Sequence, residues 1–243
     1  MKQVKIIVFN EQELVNHTYG WTNESIKGYD ACFNEIKKKQ SNEINTIMSV
    51  GGGEHILFAL SHFNNIKFIN HFEISQYDLL IALLKLTVIK DYDFDIFISL
   101  LNGCINIDFI HDILKKSVFN TVINEMFKCD YDVALRSANN SGLSNDNFDF
   151  YTNKKIFSKL KNVLQNIDAY HIYLGDIFKI KNSQIVNKNK NSIVLLSNAY
   201  NGPKQKISNE FECKFMVHTL NGLTDCKKIT SFNNWTYYVK ECK

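Results

Sequence analysis

Residues 44–73 read INTIMSVGGGEHILFALSHFNNIKFINHFE, and their pattern decides the fold. The apolar run that closes at Val50 predicts a buried strand. Gly51, Gly52 and Gly53 follow it, letting the backbone turn tightly with nothing between it and a ligand. From 54 to 63 the apolar residues recur at helical spacing, and 66–72 is a second short apolar run ended by Glu73. Strand, glycine turn, helix, strand and acid form a unit suited to a nucleoside. The glycines lie beneath it, and a carboxylate twenty residues beyond Gly53 accepts from the ribose hydroxyls. A strict dinucleotide fingerprint wants a third glycine near His55, where none stands. Pyrophosphate depends on close approach at a helix N-terminus. S-adenosylmethionine (SAM) has no phosphates and tolerates a looser turn, so SAM is favoured over NAD or FAD. The competing reading is a turn that binds nothing.

Composition narrows the field further. A chain of 243 residues has room for one substantial core with an insertion. Its 45% apolar and 22% charged residues are ordinary for a globular protein. With 28 basic against 25 acidic residues the net charge is +3, too small for a broad electrostatic case for nucleic acid. Six cysteines include no CxxC pair and no zinc spacing, which predicts free thiols, no metal and a reducing, cytoplasmic location. The longest apolar stretch, 79–89, is too short to cross a bilayer.

Before the central unit, 4–9 is a short apolar run and 16–25 is loop chemistry carrying Tyr19 and Trp21. A helix over 24–39 follows from the recurrence of Ile26, Tyr29, Phe33 and Ile36. Residues 1–43 thus form an arm and a helix, and 44–243 the cofactor-binding domain. After Glu73 the spacing turns helical for a long way. Ser75 is an N-cap ahead of a broad apolar face, and a second helix runs from Phe94 to a stop at Asn102 and Gly103. Further helices are expected at 107–116, 117–127 and 151–167, with an exposed loop over 130–149. A single crossover needs one helix, so about three extra ones make a helical insertion at about 91–167. The sheet resumes at 169–174. Asp176 then stands at a strand end, where it can take the adenine amino group or be a plain turn aspartate. The strand 192–196 runs into Ser197, Asn198, Ala199 and Tyr200, and 211–220 and 229–240 alternate like antiparallel strands. The expected fold is α/β and Rossmann-like, a mostly parallel sheet with an antiparallel C-terminal hairpin, as class I SAM-dependent methyltransferases show.

The first 103 positions resemble the betaine-lipid synthase family, which transfers the 3-amino-3-carboxypropyl group of SAM. The resemblance starts at Tyr19-Gly20-Trp21-Thr22-Asn23-Glu24-Ser25 and continues through Ser49-Val50-Gly51-Gly52-Gly53. It is most specific at Glu73, Ser75, Leu84-Lys85, Asp93-Phe94, Phe97 and Gly103. Further on, Gly175-Asp176 and Leu196-Ser197-Asn198 resemble the family's later acid and strand end. Glu73 replaces a usual aspartate, and Asp78 stands where glutamine is expected. The resemblance implies SAM as co-substrate, held by Ser49, Gly51, Gly52, Gly53, Glu73, Asp176 and Ser197. Asn198, Tyr200, Tyr19 and His55 are the candidates for acceptor positioning or proton transfer, and His171 is a histidine of structural type at the start of a strand. Ser-Asn-Ala-Tyr also faintly resembles an amino-methyltransferase motif without its prolines. The expected reaction is aminocarboxypropyl transfer to a small-molecule or lipid-like acceptor. Methyl transfer, or a binding module without catalysis, is the alternative.

Overall fold

A computed structural model describes residues 1–8, 24–40, 43–126, 145–175, 185, 191–197, 213–219, 226–232 and 235–242. Among the described residues eight strands form one sheet. They are β1 (Gln3–Val8), β2 (Thr46–Val50), β3 (Phe68–Glu73), β4 (Ala169–Leu174), β5 (Ser192–Leu195), β6 (Phe215–Thr219), β7 (Lys227–Phe232) and β8 (Trp235–Glu241). Their order is β1-β4-β3-β2-β5-β6-β8-β7. The first six in that order are parallel, whereas β8 runs antiparallel to both β6 and β7. From β2 the chain moves outward to β3 and β4, then returns to the other side of β2 with β5. That reversal opens a crevice at the carboxyl ends of β2 and β5, where ligands bind in open α/β sheets.

The central strands are buried on both faces and alternate between two clusters. Ile47, Ile69, Tyr170, Ile172, Ile193, Leu195, Phe215 and Val217 face the larger core, which also holds the apolar sides of the described helices. Met48, Phe72, Tyr173, Val194 and Met216 face a smaller one that includes Ile185. The same alternation places Ser49, His71, Glu73, Ser197 and Thr219 towards the carboxyl ends of the helix-covered face. The polar residues of the crevice are therefore continuations of core-facing rows.

Two helices flank the first turn of the sheet, α1 (Ile26–Gln40) and α2 (Glu54–His62). Gly28 lets α1 lie directly on β8, since a Cβ there would sit 2.2 Å from the Tyr237 ring. Six helices stand between β3 and β4 among the described residues: α3 (Gln76–Asp91), α4 (Phe94–Leu101), α5 (Ile107–Lys116), α6 (Asn120–Met126), α7 (Asn145–Tyr151) and α8 (Lys154–Gln165). Ser75, Asp93, Asn106 and Asn153 cap α3, α4, α5 and α8 by accepting from first-turn N–H groups. Helix α8 in turn reaches back to its neighbours, Lys159 donating to the Ser61 carbonyl at 2.5 Å and Lys161 to that of Tyr92 at 2.5 Å.

The polar segment 130–149 differs from the exposed loop expected of it, because its last residues, 145–149, belong to α7. Asn147 is fully buried there, accepting from the Ile26 N–H at 2.9 Å and donating to the Glu24 carbonyl at 2.9 Å. Its amide satisfies backbone groups of a remote segment, which local composition does not reveal. The helical run 151–167 is likewise broken, with Asn153 starting α8 afresh. No helix among the described residues is long and apolar enough to cross a membrane.

Candidate functional site

The glycine turn sits at the reversal point of the sheet. Gly51 has φ +98° and Gly53 φ +89°, values that favour glycine, and a Cβ on Gly53 would lie 2.8 Å from Cβ of Ala82 in α3. The Gly51 N–H donates to the Phe72 carbonyl at 3.1 Å, and the Gly53 N–H to the Gly51 carbonyl at 2.8 Å. Helix α2 starts on Gly53 without a side-chain cap, unlike α3, α4, α5 and α8. Its N-terminal dipole and first N–H groups thus lack a side-chain cap, and the one acid of the first turn, Glu54, is paired with Lys85.

Glu73 ends β3 beside this turn and is only 4% exposed. One carboxyl oxygen, Oε1, accepts from the N–H groups of Ile74 at 2.8 Å and Ser75 at 3.0 Å. The other, Oε2, is buried with no hydrogen-bond partner among the described residues. Burial, with the Asp78 carboxylate close by, pushes Glu73 up to about 8. A buried acid with one oxygen held and one unsatisfied is suited to a ligand that brings a hydroxyl donor. Beneath it Lys85 of α3 donates to Glu54 of α2, both side chains 2% exposed, and burial lowers the lysine against the pull of Glu54 and Asp78.

A second polar cluster closes the crevice on the β5 side. The Glu24 carboxylate, directly before α1, accepts from Tyr29 at 2.7 Å, His55 Nε2 at 2.8 Å, Ser197 at 2.9 Å and Thr219 at 2.7 Å. Burial works to raise Glu24, but the donors outweigh it and hold the carboxyl below its ordinary value. Burial works against the charge on His55 as well, and Glu24 overcomes it, so the imidazole stands above its ordinary value. The second ring nitrogen, Nδ1, faces the Val50 carbonyl at 3.3 Å. Doubly bonded in this way, His55 and Glu24 form a buried ion pair that joins α2, β5 and β6 at one point. Ser197 follows β5 with φ +51°, a left-handed conformation uncommon outside glycine. Tyr237 of β8 clasps the next residue, accepting from the Ser25 N–H at 2.7 Å and donating to the Ser25 carbonyl at 3.1 Å.

Of the residues singled out from sequence, Gly51, Gly52, Gly53, Glu73, Ser197 and His55 meet around the crevice. Ser49 lies inside β2, its Oγ buried without a hydrogen-bond partner among the described residues. Tyr19, Asp176, Asn198 and Tyr200 lie outside the described residues. His171 faces away from the helix-covered side and is buried next to Lys5 of β1, which, with burial, lowers its imidazole. Sequence reasoning gave no role to Glu24, Tyr29, His71 or Thr219. An acid before a helix resembles any first-turn acid, and only the strand order brings Thr219 within reach of it. His71 carried a faint signal, a titratable ring between the aromatic and apolar residues of the run that ends at Glu73.

No metal-binding group of three or more His, Cys, Asp or Glu side chains occurs among the described residues. Comparison of the chain with protein-family models and with curated proteins finds no match.

Proposed function

We propose that the chain is a SAM-dependent transferase of the class I methyltransferase-like fold. The observation that carries this reading is Glu73 Oε2, buried and unsatisfied at the end of β3 beside the glycine turn. Numbered from β2, the strands run third, second, first, fourth, fifth, then an antiparallel seventh and the sixth. That order supports the same reading. Glu73 accepts from the ribose, and the uncapped start of α2 faces the carboxylate of the methionine portion.

The sequence resemblance favours transfer of the 3-amino-3-carboxypropyl group. A nucleophilic oxygen or nitrogen of the acceptor forms a bond to the methionine γ-carbon as the Cγ–S bond breaks. The electron pair stays on sulfur, neutral methylthioadenosine leaves, and the acceptor proton passes to a base or water. The leaving sulfonium supplies the driving force, so the protein's task is orientation. Methyl transfer is the second reading. The left-handed Ser197, placed at the end of β5 where an acceptor would approach, favours it.

Mass spectrometry of the protein incubated with SAM and a lipid or amine acceptor separates the readings. Methylthioadenosine is the expected product, and S-adenosylhomocysteine would replace it for methyl transfer. Neither product, together with no SAM binding, would remove the proposal, and binding without product leaves a SAM-binding module.

A further inference from the structure

His71 sits inside β3 with no exposed surface, a place that suits an apolar residue better. Both ring nitrogens are engaged. Nε2 lies 2.5 Å from the Gly51 carbonyl and Nδ1 lies 2.8 Å from the Tyr170 hydroxyl of β4. A carbonyl only accepts, so Nε2 carries the proton and Nδ1 takes the tyrosine's. Burial pushes the imidazole down to about 4, consistent with a neutral ring. The Gly51 carbonyl therefore receives two donors, the His71 ring and the Gly53 N–H.

That bond sets more than the carbonyl. The peptide joining Gly51 and Gly52 is trans and planar, so its N–H points opposite to its C=O. With the carbonyl drawn towards His71, the Gly52 N–H is turned away from the ring; beside Gly52 stands Glu54, whose Oε2 would lie 3.2 Å from a Cβ there and whose charge is paired with Lys85. Gly52 is partly exposed, and its N–H makes no hydrogen bond among the described residues. Free rotation of a glycine peptide would otherwise cost little, since glycine accepts both signs of φ.

We propose that His71, oriented by Tyr170, is a positioning residue that aims the Gly52 N–H at the anionic end of the bound ligand. This rests on the reading of the turn as a SAM site, whose methionine carboxylate is that anion. His71 touches no ligand itself and acts through the Gly51 carbonyl.

Calorimetric titration with SAM, run on wild type, His71→Gln, His71→Leu and Tyr170→Phe, tests the proposal. The Gln amide can replace the Nε2 donor, so His71→Gln should stay within about threefold of wild type. His71→Leu should bind about tenfold more weakly or worse, the loss of a hydrogen bond to a charged group. Tyr170→Phe releases the ring and should weaken binding about threefold. A folded His71→Leu with wild-type affinity, or His71→Gln as weak as His71→Leu, overturns the proposal. If His71→Leu does not fold, the Gln and Phe variants decide, wild-type affinity in Tyr170→Phe counting against it.

A readout independent of SAM separates this inference from the reading beneath it. In 1H–15N spectra of the ligand-free protein, His71 should be the Nε2–H tautomer. The Gly52 amide resonance should move in His71→Leu or Tyr170→Phe and hold in His71→Gln. Wild type that shows those spectra but no SAM binding refutes the cofactor and keeps the positioning role. An Nδ1–H tautomer, or a Gly52 resonance indifferent to His71, refutes the role even if SAM binds.

Discussion

Glu73 combines burial, an acidic neighbour and a half-satisfied carboxyl, so its protonation is linked to stability. Its value in the fold, about 8, stands above the ordinary 4.5. Between those limits the folded state holds a proton that the unfolded chain has lost, so the stability present below pH 4.5 declines as pH rises through about 8. Glu73→Gln keeps the neutral form at every pH. Its melting temperature without ligand should gain on that of wild type across this window, as scanning calorimetry at a series of pH values would show; parallel curves would contradict it. Glu24 behaves oppositely, as a carboxylate kept ionised by four donors. Glu24→Gln presents an amide N–H to groups that themselves donate and leaves His55 without its counter-charge. A loss of about 3 kcal/mol or more is expected in urea unfolding near neutral pH.

Helices α2 and α3 meet at the two features that shape the turn. A Cβ on Gly53, which has φ +89°, would lie 2.8 Å from the Ala82 Cβ. Gly53→Ala is therefore both strained and crowded, and should cost about 2 kcal/mol or more by denaturant titration. The Glu54–Lys85 pair is buried on both sides, so removing one partner strands the other. Lys85→Met should destabilise by about 3–5 kcal/mol, whereas Glu54→Leu with Lys85→Met should recover most of that, because two apolar chains need no solvation. A double variant as weak as the single one would show that the pair does more than neutralise itself. These elements were legible in the sequence, since apolar spacing and the Ser75 cap mark α3 and the three glycines mark the turn. Lys85 was noted only within the resemblance at Leu84-Lys85, and its pairing was not legible, because a lysine within a leucine-rich helix gives no sign that it points inward to an acid on another element.

At the scale of the whole molecule, the legible part is the row of strands. Short apolar runs with acids or small polar residues at their ends specify a parallel sheet and the edge at which those polar residues gather. The Glu24 cluster was hidden because its members come from positions 24, 29, 55, 197 and 219, which only the completed strand order brings together. The same holds for Asn147, which ties the helical insertion to the start of α1. Asn147→Ala leaves two buried backbone groups unsatisfied, so a loss of about 2 kcal/mol or more is expected. If the insertion supports the site through this tie, the variant's SAM affinity should fall as well, and unchanged affinity would confine Asn147 to stability. The central claim is that the turn and Glu73 together hold SAM. Isothermal titration with SAM on wild type and Glu73→Ala tests it most directly. One saturable site per chain is expected for wild type, with a loss of about 1.5–3 kcal/mol in the variant above about pH 8, where Glu73 is ionised and the lost hydrogen bond is one to a charged group. Folded wild-type protein that gives no binding heat, or a variant that binds as tightly as wild type, would contradict it.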